Sequence, residues 1–235
     1  MKLLFLDTET TGNDLAKDRL CQVCYRTATK TRTEYFKPPV PIEIKSMSIT
    51  HITNKAVADK EAFATSAMKK ELEILLADHI LVAHNAKFDI AMLEAEGLIV
   101  SQFICTLRLA RYLDEEAVIP EYNLQYLRYY LDLEIDGPAH EAETDVKVTE
   151  AIFERQLQKF KEKNSEEDEV IKEMVRISNQ PTILKRIPFG KYKDKMLAEI
   201  VQIDRGYLEW LYKQKLTDGE GDEDWLYTLR HYLGI

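Results

Sequence analysis

The sequence predicts an α/β fold, a mixed sheet with helices on its faces, followed by a small α-rich unit. Two observations carry the first part: three strand-like segments come in succession, and later strands alternate with stretches of helical periodicity. A change of composition after Pro181 carries the second. A chain of 235 residues has room for one domain of about 150–180 residues and a smaller one.

The elements follow in order. Leu3–Thr8 is apolar on both faces until its carboxylates begin, as in a buried strand. Leu20–Thr27 and Thr33–Lys37 read as short strands of a meander, which Pro38-Pro39-Val40-Pro41 breaks. Ala64, Met68, Leu72 and Leu75 recur near a 3.6 period and predict a helix over Lys60–Leu76. Ile80–Ala83 suits a central strand, and Asn85 is placed to cap a helix over Ala86–Glu96 that stops near Gly97. A weak strand over Phe103–Thr106 leads to helices over Leu107–Leu113 and Leu124–Leu131. The loop Asp136-Gly137-Pro138 then precedes a long helix from about Glu141. The charged stretch Lys161–Glu173 predicts a solvated helix end or tether. Residues 161–180 are therefore expected to link a domain over 1–160 to a C-terminal domain over 181–235.

Bulk properties exclude some classes. No run approaches the roughly 20 apolar residues of a membrane span. The opening Met-Lys-Leu-Leu-Phe-Leu meets Asp7 and Glu9 too soon for a signal peptide, so a cytoplasmic protein is expected. Cys21, Cys24 and Cys105, an odd number in a chain of this size, do not suit a disulfide framework. Cys21-Gln-Val-Cys24 has no second ligand pair for structural zinc, so buried strand cysteines are expected. The net charge of −9 opposes nucleic-acid binding, but the acids are localised. They gather in Glu166-Glu167-Asp168-Glu169 and in Asp218, Glu220, Asp222, Glu223 and Asp224, whereas Ile183–Lys215 carries eight basic residues against four acids.

The chemistry lies in five side chains. Asp7 and Glu9 are two apart in a strand and project to one side, a like-charge pair that a cation would relieve. Asp89 shares the helical face of Met92 and Leu93, and Asp145 that of Val148, Thr149 and Ile152, where solvated charges do not belong. His140 is about 140° around a helix from Asp145 and follows Pro138, which places it in the loop entering that helix. Four carboxylates and one imidazole fit a two-metal phosphodiesterase, in which paired cations clamp the attacking and leaving oxygens and the histidine takes a proton from water. The other histidines, His51, His79, His84 and His231, lack such company.

Asp7-Thr8-Glu9-Thr10-Thr11-Gly12, Val82-Ala83-His84-Asn85-Ala86-Lys87-Phe88-Asp89 and His140-x-x-x-x-Asp145 resemble the three motifs of the DEDDh exonuclease superfamily. The resemblance covers about residues 1–160. It implies a ribonuclease H-like five-stranded mixed sheet and 3′→5′ hydrolysis releasing nucleoside 5′-monophosphates. It also implies two Mg²⁺ or Mn²⁺ ions held by Asp7, Glu9, Asp89 and Asp145, with His140 as general base. Thr10, Thr11, Asn85 and Phe88 fall where family members approach the substrate. Ser48-Ile49-Thr50-His51-Ile52-Thr53 resembles a His-Gly-Ile-Thr element near the terminal nucleotide, with Ile52 in place of the glycine.

The tail narrows the resemblance. Ile187-Pro188-Phe189-Gly190-Lys191-Tyr192 and Asp204-Arg205-Gly206-Tyr207-Leu208-Glu209-Trp210-Leu211 are similar to the C-terminal domain of exodeoxyribonuclease X-like proteins. Trp210, Tyr207 and Leu211 are expected in its core, and Lys191, Lys193 and Lys195 on phosphates. The implied partner is the 3′ end of DNA, with DNA repair as one setting and no membrane. An RNA substrate, as in ribonuclease T, and a non-catalytic binding module are the alternatives. No oligomeric state is implied.

Overall fold

The computed structural model describes residues 1–217 and 223–235. Five strands form one sheet: β1 (Leu3–Thr10), β2 (Leu20–Arg26), β3 (Thr31–Tyr35), β4 (Ile80–Ala83) and β5 (Phe103–Cys105). Their order is β3-β2-β1-β4-β5, antiparallel through β3, β2 and β1 and parallel through β1, β4 and β5. The two-residue period of β1 divides the sheet's packing between two cores, one on each face. Leu4 and Leu6 face one side with α2 (Ala67–Asp78) and α3 (Ala86–Ala95), through Met68, Leu72, Met92 and Leu93. Phe5 faces the other with α6 (Ala142–Lys161), through Val146, Phe153 and Leu157.

The helix expected over Lys60–Leu76 begins later. Phe63–Thr65 forms a 3₁₀ turn, and the hydroxyl of Ser66 accepts from Lys69 N–H and starts α2. A seven-residue helix the pattern did not announce, α1 (Ile44–Thr50), buries no residue and ends at His51 in left-handed conformation. Two further helices, α4 (Thr106–Leu113) and α5 (Leu124–Tyr130), match the sequence reading closely. Cys21, Cys24 and Cys105 are buried and free.

The charged segment expected as a linker is instead part of the first domain. Glu167–Ser178 forms α7, and Val170, Ile171, Met174 and Ile177 enter the same core as α6. Glu167, Asp168 and Glu169 occupy its first turn and Arg176 the last, the arrangement a helix dipole favours. Of the two readings of this charged run, a helix end and a tether, it is the helix end that forms.

The C-terminal unit comprises α8 (Leu197–Ile203), α9 (Arg205–Thr217) and α10 (Glu223–Leu233) around Leu197, Ile200, Leu208, Leu211 and Leu229. Leu211 is in its core as expected, and Tyr207 packs against it, but Trp210 is 53% exposed. Trp210 lies two positions from Leu208 along α9, off the buried stripe. Of the second acidic run, Asp218, Glu220 and Asp222 lie outside the described residues. Glu223 and Asp224 open α10 and meet Arg108, with Asp224 also meeting Arg111 and Glu223 meeting Lys87.

Candidate active site

The site begins where β1 outruns its neighbour. β4 pairs with β1 only as far as Phe5↔Val82, so the stretch from Asp7 onward has no strand on that side. The chain turns after Ala83 into α3, whose first turn presents Asp89 to the gap. Its Oδ1 accepts the backbone N–H of Thr8 at 3.1 Å and the Thr8 hydroxyl at 2.7 Å. Asp89 therefore satisfies an amide that the short parallel strand leaves unpaired. Asp7 and Glu9 flank Thr8 and point to the opposite face, toward α6.

Asp145 comes from the first turn of α6. Its Oδ1 accepts from Gln125 Nε2 at 2.6 Å and its Oδ2 from the backbone N–H of His140 at 3.1 Å. His140 lies in the loop before α6, exposed and with φ of 60°. Glu9, His140 and Asp145 each present a ligand atom, all within 4.8 Å of one another. Asp7, Glu9, His140 and Asp145 line one cavity of about 380 Å³, together with Thr8, His84 and Gln125.

No lysine or arginine lines that cavity, and the acids respond accordingly. Burial, then the charges of Asp89, Glu9 and Asp145, hold the Asp7 carboxyl well above its ordinary range. Burial and the charges of Asp145 and Asp89 push Glu9 up to about 8. Burial raises Asp89 to about 7 against the opposing hydrogen bonds from Thr8. Asp145 is raised by burial too, although His140, Gln125 and Arg128 pull it back. Carboxylates gathered this closely favour either protons or cations. Their hard oxygen donors, with one imidazole beside them, fit a divalent ion such as Mg²⁺ or Mn²⁺.

The remaining candidate residues are dispersed. The Thr10 hydroxyl donates to the Gly12 carbonyl and that of Thr11 to Asp18, both buried and engaged within the turn after β1. The left-handed residue of the His-Gly-Ile-Thr-like element is His51, with φ of 59°, not Ile52, which is buried. His51 thus stands where the backbone favours glycine, and its ring is not among the groups lining the acid cavity. Asn85 precedes α3 in left-handed conformation and makes no side-chain cap, contrary to expectation. Asn85 and Phe88 line a different cavity with Arg108, Arg111 and Trp225. Lys191 pairs with Asp204 at 2.8 Å, and Lys193 lines a cavity between the two units with Arg111 and Asn123.

Two site residues were not foreseen. Burial drives the pKa of His84 down to about 4, so its ring is neutral. Nε2 contacts the Tyr122 carbonyl at 2.8 Å and must carry the proton there, leaving Nδ1 to accept from the Thr106 hydroxyl at 2.9 Å. Gln125 is oriented by Arg128, which donates to its Oε1 at 3.3 Å and to the carbonyls of Ile135 and Gly137 in the loop leading to His140. The one available hint was position: Gln125 is polar on a short helix otherwise rich in Leu, Tyr and Arg.

A five-stranded mixed sheet with acids gathered at the end of its central strand defines a nuclease of the ribonuclease H-like class. The chain belongs to the exonuclease family, whose model, described as Exonuclease, matches residues 4–153. A second model, described as Exodeoxyribonuclease X-like C-terminal, matches residues 187–215. Exodeoxyribonuclease 10 of Escherichia coli strain K12 is 28% identical over 238 residues, covering 98% of each chain. The DNA polymerase III subunit epsilon of Treponema pallidum is 30% identical over 159 residues, 63% of this chain and 72% of its own. Among solved structures, Exonuclease X in complex with 5′ overhanging duplex DNA matches with a TM-score of 0.57 at 23% identity, covering 75% of this chain and 99% of that one. E. coli Exonuclease I in complex with a dA16 oligonucleotide gives 0.54 at 22% identity, covering 64% and 39%. These likenesses establish the fold, and the chain is an exonuclease.

Proposed function

We propose that this chain is a cytoplasmic, metal-dependent 3′→5′ exodeoxyribonuclease that releases nucleoside 5′-monophosphates. The observation that carries the reading is the meeting of Asp7, Glu9, Asp145 and His140 in one cavity, with His140 within 4.8 Å of Glu9 and Asp145 and with Asp89 bonded to Thr8 between the first two acids. DNA as substrate is supported by the end-to-end likeness to an exodeoxyribonuclease and by the DNA-bound structural neighbour. The cytoplasmic setting is supported by the bacterial relatives. No helix among the described residues is long and apolar enough to cross a membrane.

Asp7, Glu9, Asp89 and Asp145 would hold two ions. When bound, such ions supply Lewis acidity and neutralise charge along an in-line displacement. The exposed imidazole of His140 accepts the proton of the attacking water as its oxygen bonds to phosphorus. The P–O3′ bond breaks, and the departing oxygen takes a proton from solvent to become the new 3′-hydroxyl. Gln125 and the His140 amide hold the Asp145 carboxylate in one rotation throughout. Lys193, whose cavity shares Asn123 with the acid cleft, is assigned to the polymer backbone. Asn85 and Phe88 are assigned to substrate contacts from the cavity they share.

The test uses matched DNA and RNA strands labelled separately at each end. Mononucleotides should appear first from the 3′ end of DNA, stop with EDTA, resume with Mn²⁺ and vanish in Asp7→Ala. Release from the 5′ end, oligonucleotide products, activity in EDTA or a preference for RNA would each overturn the corresponding part.

A further inference from the structure

The helix that supplies Gln125 to the acid cleft carries three tyrosines that the mechanism does not use. On α5, Leu124 and Leu127 face the core, joined by Leu131 just beyond the helix. Tyr126, Tyr129 and Tyr130 fall between these positions. Tyr129 is 74% exposed and Tyr130 47%. The rings of Tyr126 and Tyr130, one helical turn apart, lie stacked with centroids 6.0 Å apart and planes 22° from parallel. The guanidinium of the buried Arg128 sits 5.5 Å from the Tyr129 centroid and anchors that ring from within the protein.

These rings line an open cavity of about 400 Å³ with Asn123 and Gln125. Both of those residues also line the acid cleft, so the two cavities adjoin at them. A cluster of exposed aromatic rings bordering an active site marks a contact surface. We infer that the tyrosines of α5 are a stacking platform for substrate bases beyond the terminal nucleotide. This rests on the nuclease reading above.

The occupant follows from charge and adjacency. The platform's lining is neutral, so it does not add to the repulsion that a chain of net charge −9 exerts on phosphates. Stacking on aromatic faces is indifferent to base identity, which suits an enzyme that moves along a strand. A polymer whose scissile phosphate lies among Asp7, Glu9 and Asp145 is led by Asn123 and Gln125 onto these rings.

The experiment compares Tyr129→Ala/Tyr130→Ala with Tyr129→Phe/Tyr130→Phe on two substrates. One is a single-stranded oligonucleotide; the other is the p-nitrophenyl ester of thymidine 5′-monophosphate, which has no second base. The alanine pair should raise KM for the oligonucleotide by about tenfold, the scale of lost base stacking, with kcat changed less than twofold. The ester should be hydrolysed as by the unsubstituted enzyme, and the phenylalanine pair should behave as unsubstituted on both. Anisotropy of the labelled oligonucleotide with EDTA-treated protein should show the same weakening without turnover. An unchanged KM and unchanged binding, or an equal loss on ester and oligonucleotide, would overturn the platform. A shift in sedimentation with unchanged KM would instead identify a contact between protein chains. If the unsubstituted enzyme cleaves neither substrate, the nuclease reading fails, and the anisotropy still decides the platform.

Discussion

The backbone N–H of His140 donates to Oδ2 of Asp145 at 3.1 Å, so the loop histidine is tied to the helix carboxylate through its main chain and its ring stays available. The other oxygen, Oδ1, takes its hydrogen bond from Gln125 on a separate helix. Two segments thus set the rotation of one carboxylate.

Replacing Gln125 tests that arrangement. Gln125→Leu removes a charge-assisted hydrogen bond worth about 1.5–3 kcal/mol, so kcat should fall roughly tenfold or more. Gln125→Glu should be worse, because it adds a fifth acid beside Asp145 and replaces the donor of that hydrogen bond with an acceptor. Steady-state kinetics and thermal melting of the three proteins check this. Equal kcat in all three would remove Gln125 from the site.

Cation affinity should rise with pH. Glu9 and Asp89, at about 8 and about 7 in the ion-free protein, are largely protonated at pH 6. A divalent ion must displace those protons, so binding strengthens from pH 6 to about 8.5 and releases protons as it does so. Calorimetry with Mn²⁺ in buffers of different ionisation enthalpy measures both. Affinity that does not vary with pH would contradict the crowding of these acids.

Stability of the ion-free protein should move the opposite way. The folded-state values for Glu9 and Asp89 stand above their ordinary 4.5 and 3.8, so the folded chain retains protons that the unfolded chain releases. Stability is therefore full below about pH 4 and is lost progressively as pH rises toward 8. In EDTA, Tm should drop between pH 5 and pH 8 from this cause. Asp7→Asn should reduce that drop and raise Tm at pH 8 while abolishing turnover. A lower Tm for Asp7→Asn at pH 8 would show that the carboxylate stabilises the fold.

Packing of α7 can be tested apart from chemistry. Met174 is fully buried in the core shared with α6, so Met174→Ala should cost about 2–5 kcal/mol in urea unfolding. With Arg108 replaced by leucine in both, a fragment ending at residue 160 exposes the surface that Val170, Ile171, Met174 and Ile177 cover, and should aggregate more than a fragment ending at 180. A soluble, cooperatively folded 1–160 would restore the linker interpretation.

Much of the sheet was legible because β4 is wholly apolar, β1 opens on four apolar residues and β2 is mostly apolar, all in short runs, which no exposed helix would be. The acids were legible because each interrupts a pattern that otherwise faces the core. His84 and Gln125 were not, since their roles depend on Tyr122, Thr106, Arg128 and Asp145, partners on other elements. Helix α7 was hidden because its charged first turn outweighed the apolar spacing from Val170 to Ile177. Trp210 misled because size suggested a core residue, whereas the stripe of α9 runs through Leu208 and Leu211. The left-handed turns at His51, Asn85 and His140 carry no glycine, so nothing in composition announced them.

Arg108 changes what removing the tail would mean. Its side chain is buried, and it bonds the Ser178 carbonyl at 2.9 Å on one side and the carboxylates of Glu223 and Asp224, each at 2.9 Å, on the other. Ser178 in turn accepts the Cys105 N–H at the end of β5. Cutting away the last 55 residues would strand a cation inside the nuclease half, an injury unrelated to any lost grip on substrate. A fair comparison of long and short forms has to neutralise Arg108 in both.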